Sequence, residues 1–403
     1  MCSTFPTKVL IDATTDRHTP SALHCRVRNR ILIEHPDQLT AAVARWQSAP
    51  YVALDTEFVR ETTFRARLGL VQVAVADEVA LIDAVRIRDL SPLAAIVSHP
   101  HTRKILHSCS EDLPGLRRAT GRSLAPLFDT QIAAAFAGLG VGLSYGALVA
   151  ALFQVVLEKG ETRTDWTRRP LSPEQLRYAA DDVDYLPEVA AELERRLVSL
   201  GRLDWAIEDS AALATADADG PAPEDAWRKV KGLDRQPAAV QAVARELAAW
   251  REREAARLDV ARPFLLRDET LLALARRDAV SVQDVARLPG YDARRHAAHA
   301  RRWPDALAEA RRHVEAQEPV PAAPTPPPAD VKRRAALEAA VAALVTRRAG
   351  ELSLPPELLL SRRQRERALE AWGGRGSLSA AIGGFRGTLL GNELDELTRG
   401  VTG

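Results

Sequence analysis

From Ile31 onward the apolar positions follow two periods in alternation. "ILIEH", "YVALDTEF" and the two halves of "LGLVQVAVADEVALIDA" have the composition and spacing of strands, the halves meeting at a turn at Ala76-Asp77-Glu78. "PDQLTAAVARWQSA", "SPLAAIVSH", the segment opening at Glu111 and the stretch 129–157 carry the helical period, and "RKILHS" is a short strand between them. Strands interleaved with helices predict an α/β sheet covered on both faces. "SPEQLRYAADDVDYLPEVAAELERRLVSLG" predicts one long helix: Ser172 caps it, Pro173 suits its first position, Gln175 completes a capping box and Gly201 ends it.

After Trp205 the pattern lapses into "EDSAALATADADGPAPED", which is linker-like in its small, acidic and proline residues. A second break, "EAQEPVPAAPTPPPAD" at 315–330, predicts an extended spacer. Between and beyond these breaks lie two similar helical stretches. Each has an Arg-containing amphipathic helix and then a helix opened by proline, at Pro263 or Pro356. A turn with glycine and an aromatic follows, Leu288-Pro-Gly-Tyr291 or Ile382-Gly-Gly-Phe385. The expected organisation is an extension over 1–30, an α/β domain over 31–205, a linker over 206–223, helical domains over 224–314 and 331–403, and the Pro-rich spacer over 315–330.

With 403 residues, several domains are expected; 46% apolar and 27% charged residues are ordinary for a globular protein. No run of about 18 apolar residues is present to span a bilayer. The first thirty residues lack an apolar signal core, so a cytoplasmic location is expected. Three cysteines (Cys2, Cys25, Cys109) without metal-ligand spacing fit a reducing compartment. The net charge of +1 hides an asymmetry: residues 26–205 hold 22 basic against 23 acidic residues, 221–314 hold 19 against 14, and 331–403 hold 12 against 8. Acids gather in the first half and excess base in the second, as expected where one part does metal chemistry and another holds a polyanion.

Asp55 and Glu57, two apart on a strand, share a face at the end of a central apolar run. The C-terminal ends of such strands are where α/β sheets bind ligands. Like charges side by side are costly unless cations neutralise them. Asp112 falls in the first turn of a helix capped by Ser108 or Ser110, and Tyr178 and Asp182 share one helix face four residues apart.

This ordered set, with "VALDTEF", "LGLVQVA", "LHSCSEDL", "FDTQIAAAF", "ETRTDWTRRPL" and "LRYAADDVDYL", resembles the ribonuclease D family of the DEDD exonuclease superfamily. His107 and Asp112 also have the spacing of that superfamily's histidine branch, with Asp77 or Asp83 as the middle acid. That assignment would leave Tyr178 and Asp182 idle, so the tyrosine branch is assigned. The resemblance implies a ribonuclease H-like mixed sheet flanked by helices, followed by two all-α HRDC bundles. It further implies a 3′–5′ exoribonuclease that trims RNA with single-stranded 3′ ends, tRNA precursors above all, as a monomer, by two-metal hydrolysis to nucleoside 5′-monophosphates. A 3′–5′ DNA exonuclease and a non-catalytic nucleic-acid-binding protein are the alternatives.

Four oxygen-donor carboxylates suit Mg²⁺ or Mn²⁺. By the resemblance, Asp55 bridges two divalent ions, Glu57 and Asp182 complete one, Asp112 serves the other, and Tyr178 orients the attacking water. Phe58, Gln72, His107, Arg163 and Trp166, beside the motifs, are candidate contacts for the terminal nucleotides, with Arg163, Asp165 and Trp166 alternatively locking their loop. Arg294, Arg295, Arg301 and Arg302, on a predicted helix "ARRHAAHARRW", are candidate phosphate contacts.

Overall fold

The structure, a computed structural model, describes residues 28–402 apart from 159, 161–163, 216–221, 317–327 and 373–376. Two compact units emerge: one of residues 1–57, 69–216 and 326–403, the other of 58–68 and 217–325.

The first unit is built on a six-stranded sheet: β1 (Asn29–Ile33), β2 (Tyr51–Val59), β3 (Arg67–Val75), β4 (Glu78–Asp83), β5 (Arg103–Leu106) and β6 (Leu127–Asp129). The order is β1-β4-β3-β2-β5-β6. It is mixed: β3 and β4 are antiparallel, while β1 pairs with β4, β2 with β5 and β5 with β6 in parallel. Val52, Ala53 and Leu54 are buried to 1% or less, as a strand covered on both faces requires.

The helices of this region are α1 (Pro36–Trp46), α2 (Ala94–Val97), α3 (Asp112–Thr120), α4 (Thr130–Phe136), α5 (Tyr145–Phe153), α6 (Pro173–Asp184), α7 (Leu186–Ser199) and α8 (Leu203–Thr215). The helices differ from expectation in four places. The stretch 129–157 is a strand end and two helices, broken where Gly138, Gly140 and Gly142 take positive φ. The long helix from Ser172 forms with its capping box, but Pro187, in the first turn of α7, divides it at Tyr185. α3 is preceded by Glu111 rather than capped by Ser108 or Ser110. The expected linker from 206 begins as helix, because α8 carries Trp205, Glu208 and Asp209 into contacts of their own.

Those contacts receive the C-terminal helices α14 (Pro328–Glu351), α15 (Pro356–Leu359), α16 (Arg362–Trp372), α17 (Leu378–Ile382) and α18 (Gly384–Thr402). Phe385 stacks on Trp205 with ring centroids 5.0 Å apart. Arg386 grips Asp209 through both Nη atoms at 2.6 and 2.8 Å, and the Phe385 amide donates to Glu208 at 2.9 Å.

The second unit contains α9 (Ala238–Leu258), α10 (Arg262–Leu265), α11 (Asp268–Ala275), α12 (Ala293–His296) and α13 (Trp303–Ala316), packed around Leu247, Leu271, Leu274, Trp303 and Leu307. Its order of long helix, one-turn helix opened by proline and further helix recurs in α14–α16, which is the repeat seen in the sequence. The segment 58–68 belongs here. Thr62 accepts from the Ala261 amide at 2.8 Å, and Phe64 lies under the Arg262 guanidinium at 4.4 Å.

Arg169 is the strongest tie between loop and sheet in the first unit. Its Nε and Nη2 bond both oxygens of Asp83 at 2.5 and 2.7 Å, and Nη2 also donates to the Gly69 carbonyl at 2.7 Å. Asp83 is 1% exposed, so removing the guanidinium strands a buried charge. Arg169→Ala should cost about 3–5 kcal/mol, read as a lower urea midpoint.

Candidate active site

β2 delivers Asp55 and Glu57 at its C-terminal end, both half-buried. Asp112 arrives from the first turn of α3, where the helix N-terminus favours its charge. Thr56 donates its hydroxyl to Asp112 Oδ1, fixing that carboxylate relative to β2. From α6 come Tyr178 and Asp182, one turn apart and close enough for each to influence the other's proton affinity.

Burial, and then the charges of Asp112, Asp182 and Glu57, hold the Asp55 carboxyl well above its ordinary range. Glu57 is pushed up to about 9 by burial and by Asp182 and Asp112. Asp182 is raised to about 7, burial outweighing the opposing influence of Tyr178, and Asp112 to about 6, burial outweighing the Thr56 hydrogen bond. Tyr178 is raised by burial and by Asp182, so its phenol keeps its proton at neutral pH.

Neighbouring acids are treated differently. Arg30, on β1, bonds Asp181 at 2.6 Å and Asp184 at 2.8 Å, and Arg28 bonds Asp184 at 3.1 Å and Glu188 at 2.5 Å. These arginines pin α6 and the start of α7 to the sheet edge. Among the described residues no Lys or Arg is paired with Asp55, Glu57, Asp112 or Asp182. The helix acids with a structural task have their cations; these four do not.

Such a donor set, hard oxygens with uncompensated charge, fits divalent cations. Among the described residues no three His, Cys, Asp or Glu side chains stand in a ready-made coordination geometry. Carboxylates that repel one another converge fully only around a cation.

The surrounding candidates divide. Phe58 is half-buried near the end of β2. Gln72 is fully buried in β3, opposite Leu81, and cannot meet a nucleotide at the surface. His107 has both ring nitrogens engaged, Nδ1 with Thr130 Oγ1 at 2.9 Å and Nε2 with the Leu143 carbonyl at 3.0 Å. It secures the loop before α5 instead of waiting for substrate. Trp166 is 1% exposed and lies against Tyr178, so it locks its loop rather than contacting nucleotides; Arg163 lies outside the described residues.

In the second unit "ARRHAAHARRW" is not one helix: α12 ends at His296 and α13 starts at Trp303. His296 is buried, accepting from the Asp292 amide and meeting the Pro263 carbonyl. Arg302 is committed to Glu254 at 2.6 Å, and Arg295 lies over Phe264 beside Asp292. Arg294 and Arg301 remain exposed.

Two participants were not anticipated. Asp129 caps α4 and accepts from the Ser108 and Cys109 amides, fixing the turn ahead of Asp112; the Asp-Thr-Gln opening of a helix was a signal for it. Tyr145 comes close enough for Asp182, Asp184 and Asp55 to raise its phenol further, after burial, while its oxygen accepts from the Tyr185 amide. No sequence pattern marks it. Cys109, fully buried with its thiol pushed up by burial and Asp129, is no oxidation sensor.

A 3′–5′ exonuclease family model matches residues 31–198, and an HRDC domain model matches 240–307. The chain is 38% identical over 352 residues to ribonuclease D of Pseudomonas paraeruginosa, covering 87% of this chain and 92% of that one. It is 39% identical over 368 residues to ribonuclease D of Xanthomonas oryzae, covering 89% and 95%. The crystal structure of Escherichia coli RNase D, described as an exoribonuclease involved in structured RNA processing, superposes with a TM-score of 0.78 at 33% identity, covering 92% of this chain and 99% of that one. On these matches, which span nearly the whole chain, the chain belongs to the ribonuclease D family of 3′–5′ exoribonucleases.

Proposed function

We propose that Asp55, Glu57, Asp112 and Asp182 hold two divalent metal ions, Mg²⁺ or Mn²⁺, and that Tyr178 orients the water that attacks the 3′-terminal phosphodiester. The observation that carries this reading is a set of four carboxylates all raised above their ordinary range, Asp55 and Glu57 partly by Asp112 and Asp182, that have no basic partner among the described residues, beside acids that do. When bound, the metals would supply charge neutralisation at the phosphate and acidify the nucleophilic water. Tyr178 contributes direction. Its phenol stays protonated, so it holds the water by hydrogen bonding and takes no proton from it. Thr56 and Arg30 act one step back, the first fixing Asp112 and the second anchoring the helix that carries Asp182.

The substrate in this reading is RNA with a single-stranded 3′ end, tRNA precursors in particular, processed in the cytoplasm by a monomer. Residues 31–205 form the exonuclease domain, 224–314 the first HRDC domain and 331–403 a second, diverged one. Matched RNA and DNA oligonucleotides with identical 3′ tails test the substrate class. Faster release of nucleoside monophosphates from RNA supports the reading; equal or faster release from DNA rejects it.

Arg294 and Arg301, exposed on the first helical domain, serve as phosphate contacts. Arg294→Glu with Arg301→Glu should weaken binding of a structured RNA and flatten the log–log salt dependence by roughly two. Titrations at several salt concentrations measure it, with trimming of a trinucleotide unchanged.

A further inference from the structure

The loop ahead of α6 is held more firmly than a connection requires. Arg169 Nη1 donates to the Trp166 carbonyl at 2.9 Å while the same guanidinium grips Asp83 and the Gly69 carbonyl. Gln175, already part of the capping box, donates from Nε2 to Thr164 Oγ1 at 3.0 Å. Gly69 has no side chain for a reason: a Cβ there would run into the backbone carbonyl and Cβ of Trp166. Sheet, loop and helix are thus fixed to one another around a single indole. That indole lies against the Tyr178 ring, centroids 6.1 Å apart and planes inclined by 37°.

We propose that Trp166 is a positioning residue for Tyr178, a wall that holds the phenol ring on the helix face that Tyr178 shares with Asp182. The proposal rests on the assignment of Tyr178 as the residue that orients the water. Tyr178 is half-buried on a helix face, and an unsupported ring there has alternative rotamers open to it. With its hydroxyl at the end of a long lever, a small rotation moves the oxygen by an ångström or more, and misplacement on that scale is expensive in rate. Trp166 removes that freedom by packing. Its own indole has no part in the chemistry, since it is buried with the loop closed over it.

The test is a double-mutant cycle on the full-length enzyme with a short single-stranded RNA. Trp166→Leu should lower kcat by roughly 10- to 100-fold with KM within about twofold, and Trp166→Phe should recover most of the loss. In a Tyr178→Phe background, Trp166→Leu should cost less than about twofold, because the hydroxyl it positions is gone. If Trp166→Leu fails to fold, Trp166→Met, whose flexible side chain fills more of the same space, takes its place in the same cycle.

Equal losses in the wild-type and Tyr178→Phe backgrounds, or a loss confined to KM, overturn the proposal. A Tyr178→Phe enzyme as fast as wild type overturns instead the assignment of Tyr178 on which it rests.

Discussion

Asp55→Asn is expected to do two opposite things: stop 3′ trimming and make the metal-free protein harder to melt. The first follows from position. Asp55 is central to the carboxylate set, feeling Asp112, Asp182 and Glu57 together. An amide in its place offers a weaker, neutral ligand. In the proposed two-metal reading, charge stabilisation by the metals would account for several kcal/mol, so the rate should fall by about 10³-fold or more with RNA affinity retained. The second follows from electrostatics. Four acids, one buried and three half-buried, that have no basic partner among the described residues are a cost to folding, and removing one charge relieves it. A rise of about 2–4 °C in Tm at pH 8, for each kcal/mol relieved, is expected without metal. At pH 5, where the wild-type carboxyls are largely protonated in the folded chain, the difference should shrink.

The second prediction couples pH, metal and stability. These carboxyls are raised in the folded state, so between their unfolded and folded values the native chain holds more protons than the unfolded one. Stability from this source is fully present below about pH 4. It is then lost as pH climbs through about 6 for Asp112, about 7 for Asp182 and about 9 for Glu57. Other groups oppose this at the acid end, Asp83 being held low by Arg169, so the decline belongs to neutral and alkaline pH. Divalent cations reverse it by replacing protons. Magnesium or manganese should therefore raise Tm more at pH 8 than at pH 6, and binding should release protons, measurable by calorimetry in buffers of different ionisation enthalpy. A metal-induced shift independent of pH would mean that the cations bind elsewhere.

Much of this was legible in the chain itself. Strand alternation placed Asp55 and Glu57 on one face, and the Ser172 capping box with Pro173 set the frame in which Tyr178 and Asp182 share a helical face. Contacts between residues distant in the chain were less visible. His107 is drawn to the Leu143 carbonyl and Arg302 to Glu254, partners 36 and 48 residues away that no local pattern announces. Trp166 and Gln72 are candidate substrate contacts by their closeness to motifs in sequence, Trp166 with the alternative of locking its loop. The fold instead buries both, Gln72 within a strand covered on both sides and Trp166 against a glycine that leaves it room. α8 was hidden by composition: its alanines and acids read as linker until Trp205 and Asp209 meet Phe385 and Arg386.

The most direct test of the site is the fate of a 5′-labelled RNA with a single-stranded 3′ tail, incubated with the enzyme under chelation and with Mg²⁺ or Mn²⁺, beside Tyr178→Phe. The expected result is a ladder descending one nucleotide at a time from the 3′ end, with 5′-monophosphates released, only when metal is present, and strongly slowed in the variant. RNA that is bound yet stays intact with metal, or a Tyr178→Phe enzyme as fast as the wild type, would contradict the assignment of these five residues.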